Sequence, residues 1–180
     1  MIYLISDTHF NHKNIIDYEN RPFAGVDVMN DALIKNWNSI VQPRDTVIHL
    51  GDVGLGNVSD LKWIIPSLNG TKILIKGNHD CKSRQFFLDC GFQMVCNTYM
   101  IEHNGKTIFF SHRPDSRPGS GEKYNLHFYG HVHSKGYHDN YPTIARNGAC
   151  LCVERWDYKP VELDKVFDLC ESSGITAPNL

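Results

Sequence analysis

Asp45–Gly54 reads DTVIHLGDVG. Its apolar core, VIHL, is short and bounded by polar residues, so it reads as a buried strand that stops at Gly51-Asp52. The same figure stands on both sides of it. MIYLIS runs into Asp7-Thr8-His9, and TKILIK runs into Gly77-Asn78-His79-Asp80. Two helical segments lie between these strands. In DVMNDALIKNWNSIV, residues Val28, Leu33, Trp37, Ile40 and Val41 fall close to helical spacing, and Pro43 stops the helix. SDLKWIIPSL opens on Ser59 as a helix cap and is broken or ended by Pro66. Trp37 and Trp63 are expected in the core. The order strand, helix, strand, helix, strand implies βαβ units and a largely parallel sheet.

The second half is richer in strands. FQMVCNTYMIEH and KTIFFSH flank Asn104-Gly105, the strongest short-range hairpin signal. NLHFYG and TIARNGACLCVERW are further strands, LDKVFDLCESS is a closing helix, and residues 174–180 are a loose tail. No repeat and no linker interrupts the chain, so a single domain is expected over 1–180.

Bulk properties narrow the function. The chain has 180 residues, 41% of them hydrophobic, enough for a full core. Its formal net charge of −2 carries no footprint for long duplex DNA. No signal peptide and no membrane-spanning run is visible, which leads to an expectation of a cytoplasmic protein without a membrane partner. The six cysteines contain no Cys-x-x-Cys and read as reduced, buried thiols. Ten histidines are many for this length and hint at metal.

Five strands end in polar clusters: DTH, GDVG, GNHD, SH and GHVH. Ligands gather at the carboxyl ends of strands in open α/β sheets, so the clusters are expected to converge. They bring Asp7, His9, Asp52, Asn78, His79, His112, His131 and His133. Oxygen donors mixed with imidazoles suit manganese, iron, zinc, nickel or cobalt. Eight donors exceed one tetrahedral ion, whereas two ions sharing a carboxylate would use them. Gly51, Gly77 and Gly130 each precede a polar residue where the chain must turn and approach a ligand closely. His131 and His133 would share a face on extended chain, while a turn at Gly130 would send them to different ions.

The ordered set DTH, GDVG, GNHD, SH, GHVH resembles the calcineurin-like metallophosphoesterases. The opening DTHFNHKNIIDYENRPF is also similar to a group of small bacterial and phage phosphoesterases of that superfamily. The resemblance implies an α/β fold, a two-sheet β-sandwich flanked by helices in four layers, α/β/β/α. It implies that Asp7, His9, Asp52 and His133 hold one ion, and that Asp52, Asn78, His112 and His131 hold the other. His79 would face the leaving group as the catalytic acid. One departure is visible: GDVGLGN has Leu55 and no arginine where the phosphoprotein phosphatases of this superfamily read Gly-Asp-x-x-Asp-Arg-Gly. The aspartate that would orient His79 is therefore absent, with Asp80 or another, unidentified neighbour as its substitute, and a phosphoprotein substrate is not expected.

Other residues carry open readings. Arg21 and Arg113 suit phosphate binding through their planar forks, although Arg21 equally suits a partner carboxylate. His12 is either a rim residue or a substrate contact. His49 reads as a core or packing histidine at least as well as an active one; His103, His127 and His138 read as surface or strand residues. The loop RPDSRPGSGEKY, between two ligand segments, is expected to rim the site.

The expected activity is hydrolysis of a small phosphodiester, of nucleotide type, by metal-activated hydroxide, with two divalent ions, manganese first among them. The alternatives are a phosphomonoesterase acting on a small metabolite and a non-catalytic protein-binding scaffold of the same fold. Degraded ligand positions would mark the scaffold, and here the set is intact.

Overall fold

The computed structural model describes residues 1–56, 58–134, 142–145 and 147–173. The expected tail and His138 lie outside these residues. Among the described residues ten strands form two five-stranded sheets. The first has the order β10-β1-β2-β3-β4, from Val161–Glu162, Ile2–Ile5, Thr46–His49, Thr71–Ile75 and Phe92–Cys96. Strands β1 to β4 run parallel, and β10 is antiparallel to β1. The second sheet has the order β5-β6-β7-β9-β8, from Thr98–His103, Lys106–Ser111, Leu126–Tyr129, Gly148–Cys150 and Ile144–Ala145. Its outer pairs are antiparallel and its central pairs parallel.

Alternation along the strands builds two cores. Tyr3, Ile5, Val47 and Leu74 pack against α2 (Val26–Ile40), α3 (Val58–Ser67) and α4 (Arg84–Asp89). Their neighbours Leu4, Ile48 and Ile75 face Ile108, Phe110 and Phe128 of the second sheet. The closing helix α5 (Leu163–Ser172) presents Leu163, Val166, Phe167 and Cys170, one helical stripe, to this inter-sheet core. It packs against β1 and β10 of one sheet and β8 and β9 of the other. Two mixed sheets flanked by helices are thus the architecture that the motifs implied.

Several local readings change. FQMVCNTYMIEH is not one strand: it breaks at Asn97, so β4 joins the first sheet and β5 the second. The helices α1 (Lys13–Tyr18) and α4 are too short, at six residues each, to show a periodic pattern. Ser83 caps α4 by accepting from the Phe86 amide. Helix α3 begins at Val58, so Ser59 lies inside its first turn, where its hydroxyl meets Asp60. Pro66 sits in the last turn and ends that helix. Trp37 is buried, but Trp63 is 66% exposed. The buried face of α3 is Leu61, Ile64 and Ile65, continued by Leu68 just past its end, and Trp63 falls off it. Val28 is exposed for the same reason, since α2 buries Met29, Leu33 and Trp37. Among the described residues no helix is long and apolar enough to cross a membrane.

The sheets meet at one edge. Ser6, just past β1, bridges Cys152, just past β9, and the Val153 amide donates to the Ser6 carbonyl at 3.1 Å. The carboxyl ends of β1, β2, β3, β6 and β7 all open onto this edge, and every polar cluster follows one of them.

Candidate metal centre

Five of the eight expected donors stand in left-handed backbone: Asp7 (φ 58°), His9 (51°), Asp52 (57°), His131 (73°) and His133 (45°). Side chains with a Cβ rarely adopt this region, and each such residue costs about 1–3 kcal/mol. The conformation turns each donor sharply off its strand end. His131 and His133 are therefore not on extended chain, and they point to different groups. Close approach is enforced at Gly130, where a Cβ would collide with Ser6 Oγ and Asp7 Oδ2, and at Gly77, where it would collide with Asp52.

Two clusters result. Ligating atoms of Asp7, His9 and His133 lie within 4.8 Å of one another, and so do those of Asp52, His112 and His131. Asp7 Oδ1 is 3.3 Å from His133 Nε2 and 3.8 Å from His9 Nε2. Asp52 Oδ2 is 3.7 Å from His9 Nε2 and 3.4 Å from His112 Nε2, between the clusters. His112 Nε2 is also 3.0 Å from Asn78 Oδ1 and 3.2 Å from His131 Nδ1. Donors about 2.1 Å from a common ion stand about 3.0–3.5 Å apart, so these spacings fit divalent metals. Moreover, Asp7 Oδ1 and His9 Nε2 are buried without a hydrogen-bond partner. Buried polar atoms are nearly always satisfied, and two that face one another across an acidic cluster fit a cation.

The electrostatics agree. Burial opposes charge at His112 and His133, yet Asp52 and Asp7 outweigh it, and both imidazoles hold protons far above the usual histidine range. Burial likewise works against the Asp7 carboxylate, but His133 and His112 keep it ionised. His9 is driven the other way, first by burial and then by His133.

Each donor is held by a further layer. Asp7 Oδ2 accepts from Ser6 Oγ, from the His131 amide at 2.9 Å and from Cys152 Sγ at 3.3 Å. Asp52 Oδ1 accepts the His79 amide at 2.8 Å, which leaves Oδ2 for the clusters. His112 Nδ1 meets the Leu50 carbonyl at 2.8 Å, His133 Nδ1 meets Glu154 Oε1 at 3.0 Å, and His9 Nδ1 meets His12 Nδ1 at 3.3 Å. His49 is a packing residue. The Gly51 amide donates to its Nδ1, so Nε2 carries the proton and donates to Thr8 Oγ1, 2.9 Å away. Burial pushes its pKa down to about 4.

Two residues, Asp80 and Arg21, depart from expectation. Asp80 does not orient His79. It accepts the amides of Asp52 (2.8 Å), Val53 (3.0 Å) and Gly77 (2.8 Å), pinning two ligand loops together. Burial outweighs these bonds and lifts its pKa to about 6. Among the described residues no side chain bonds the His79 ring, which is exposed and lies 5.3 Å from His9 and 6.1 Å from His12. Arg21 is not available to a substrate, because its side chain is fully buried against Glu154. Arg113 stays exposed beside His112, with Nε 3.0 Å from Asp115. Glu154 and Cys152 escaped the sequence reading: neither lies in a motif, and only the joining of the sheets brings them to Asp7 and His133.

A two-sheet sandwich with paired Asp, His and Asn clusters at its strand ends defines a metallophosphoesterase. The family model described as the calcineurin-like phosphoesterase superfamily domain matches residues 1–157, and the chain belongs to that superfamily. An uncharacterised protein of Methanocaldococcus jannaschii is 41% identical over 182 aligned positions, covering 97% of this chain and 93% of its own. A solved protein of unknown function from Aquifex aeolicus is 30% identical with a TM-score of 0.73, covering 94% of this chain and 98% of its own. Pseudomonas putida nuclease MPE shares the fold alone, at 19% identity, a TM-score of 0.50, and coverage of 73% of this chain and 61% of its own.

Proposed function

We propose that this chain is a dinuclear metal-dependent phosphodiesterase acting on small, nucleotide-type phosphodiesters. The observation that carries the reading is the pair of buried, unpartnered atoms Asp7 Oδ1 and His9 Nε2, which face His133 Nε2 and Asp52 Oδ2. Asp7, His9, Asp52 and His133 would hold one divalent ion, and Asp52, Asn78, His112 and His131 the other, with manganese first among the candidates. Bound there, the ions supply Lewis acidity and an activated water. Asp52 keeps the two clusters in register, its Oδ1 accepting from the His79 amide and its own amide donating to Asp80 Oδ2. His79 is exposed on the rim and gives its proton to the leaving oxygen. Asn78 and His79 open to solvent, so the phosphoryl group enters from that side, where Arg113 and His12 offer contacts. The free cysteines suit a reducing compartment, the cytoplasm.

His79→Ala should keep its ions and lose rate according to the leaving group. An alkoxide needs the proton, so a nucleotide diester should slow by about 10²–10⁴. A nitrophenolate hardly needs it and should slow much less. Steady-state rates on both substrates, with bound metal measured on the same sample, decide this. Equal losses would make His79 a positioning residue.

Diester preference is tested by kcat/KM for a 2′,3′-cyclic nucleotide, bis-p-nitrophenyl phosphate, p-nitrophenyl phosphate and a phosphopeptide, under one manganese concentration. The diesters should lead. A monoester or phosphopeptide favoured more than about tenfold, about 1.4 kcal/mol in the transition state, overturns the diesterase reading and leaves the metal centre standing.

A further inference from the structure

The two clusters are supported by different chemistry. Arg21 is buried and every nitrogen of its guanidinium is engaged. Nε and Nη2 donate to Glu154 Oε1 at 3.0 and 2.6 Å, Nη2 also donates to the Asp7 carbonyl at 2.8 Å, and Nη1 donates to the Thr8 carbonyl at 2.9 Å and meets Met29 Sδ at 3.4 Å. One side chain thus fixes the left-handed Asp7 backbone and the carboxylate beneath His133. Glu154 lies in the short 3₁₀ turn Val153–Arg155, and the neighbouring Arg155 Nε donates to the His133 carbonyl at 2.6 Å.

The hydrogen bonds determine the ring. Glu154 Oε1 accepts from Arg21, so as a carboxylate it must also accept from His133. The His133 Nδ1 therefore carries a proton, and Nε2 is the nitrogen that faces Asp7 Oδ1 and would take the ion. A carboxylate behind a ligating imidazole fixes its tautomer and raises its basicity. His112, in the other cluster, has only a neutral backbone carbonyl behind it, and its companion Asn78 is neutral and exposed.

We propose that Arg21 and Glu154 are positioning residues for one ion of the pair, so that the ion at Asp7, His9 and His133 is held more tightly than the ion at Asn78, His112 and His131. The inference rests on the dinuclear reading above.

The test is a Mn²⁺ titration of chelator-stripped protein, with free Mn²⁺ followed by electron paramagnetic resonance. Wild type should bind two ions of unequal affinity, and Asn78→Ala should lose the looser one. Glu154→Gln, which keeps an acceptor for His133 and removes the charge, should weaken the tighter ion by about 10–100-fold. The looser ion should move little. Two ions in wild type with both or neither weakened in Glu154→Gln, or loss of the tighter ion in Asn78→Ala, overturns this inference alone. Fewer than two ions in wild type sinks the dinuclear reading with it. A measurement without any variant stands beside these: long-range ¹H–¹⁵N spectra of the Zn²⁺-loaded wild type should show a proton on His133 Nδ1. A bare Nδ1 overturns the assignment even if Glu154→Gln fails to fold.

Discussion

Asp52→Ala should strip the protein of both ions, and with them its phosphoesterase activity. Its carboxylate faces both clusters, through Oδ2 at 3.7 Å from His9 Nε2 and 3.4 Å from His112 Nε2. Its other oxygen accepts the His79 amide, so the variant also frees the loop that carries Asn78. Without it, the group of His112 and His131 has lost its carboxylate, and Asp7 remains with His9 and His133. Metal-assisted hydrolysis draws several kcal/mol of charge stabilisation from its ions, so the rate should fall by at least about 10³. His9→Ala and His133→Ala should each weaken a single ion. Metal content after dialysis, measured on all three variants, is the check. Asp52→Ala retaining two ions would show that the carboxylate is no bridge.

Arg21→Met should destabilise the fold by about 3–5 kcal/mol, the usual loss when one partner of a buried ion pair is removed. The loss combines a stranded Glu154 carboxylate with two carbonyls, at Asp7 and Thr8, that lose their donor. Urea unfolding should be measured with a chelator present, since bound metal would add its own stabilisation to the folded state. At this chain length the same change lowers the melting temperature by about 6–20 °C. A loss below about 1 kcal/mol would mean that Glu154 finds another partner or takes up a proton.

The sequence exposes the candidate metal edge unusually well. Asp7, His9, Asp52, Asn78, His112, His131 and His133 are legible because each follows an apolar strand, and strand ends in an α/β sheet share one edge. What escapes comes from elements without a pattern. Trp63 has the spacing of a core residue, yet which stripe of α3 is buried depends on where the helix lands on the sheet. The break at Asn97 is invisible because β4 and β5 have the same strand-like composition. Arg21 and Glu154 are 133 positions apart, and their pairing follows from the sheets closing at Ser6 and Cys152. Asp80 stands beside His79 in sequence, but the turn at Gly77 swings it inward to the amides of Asp52 and Val53.

The left-handed backbone at five donor positions has an evolutionary corollary. Glycine or asparagine would relax each of those positions, so a screen for heat survival alone would reward replacing Asp7, His9, Asp52, His131 or His133. A lineage kept only for its stability would drift toward a sturdier, inert relative. In this chain all five positions carry a donor side chain instead, each at a backbone cost that a sequence kept for stability alone would shed.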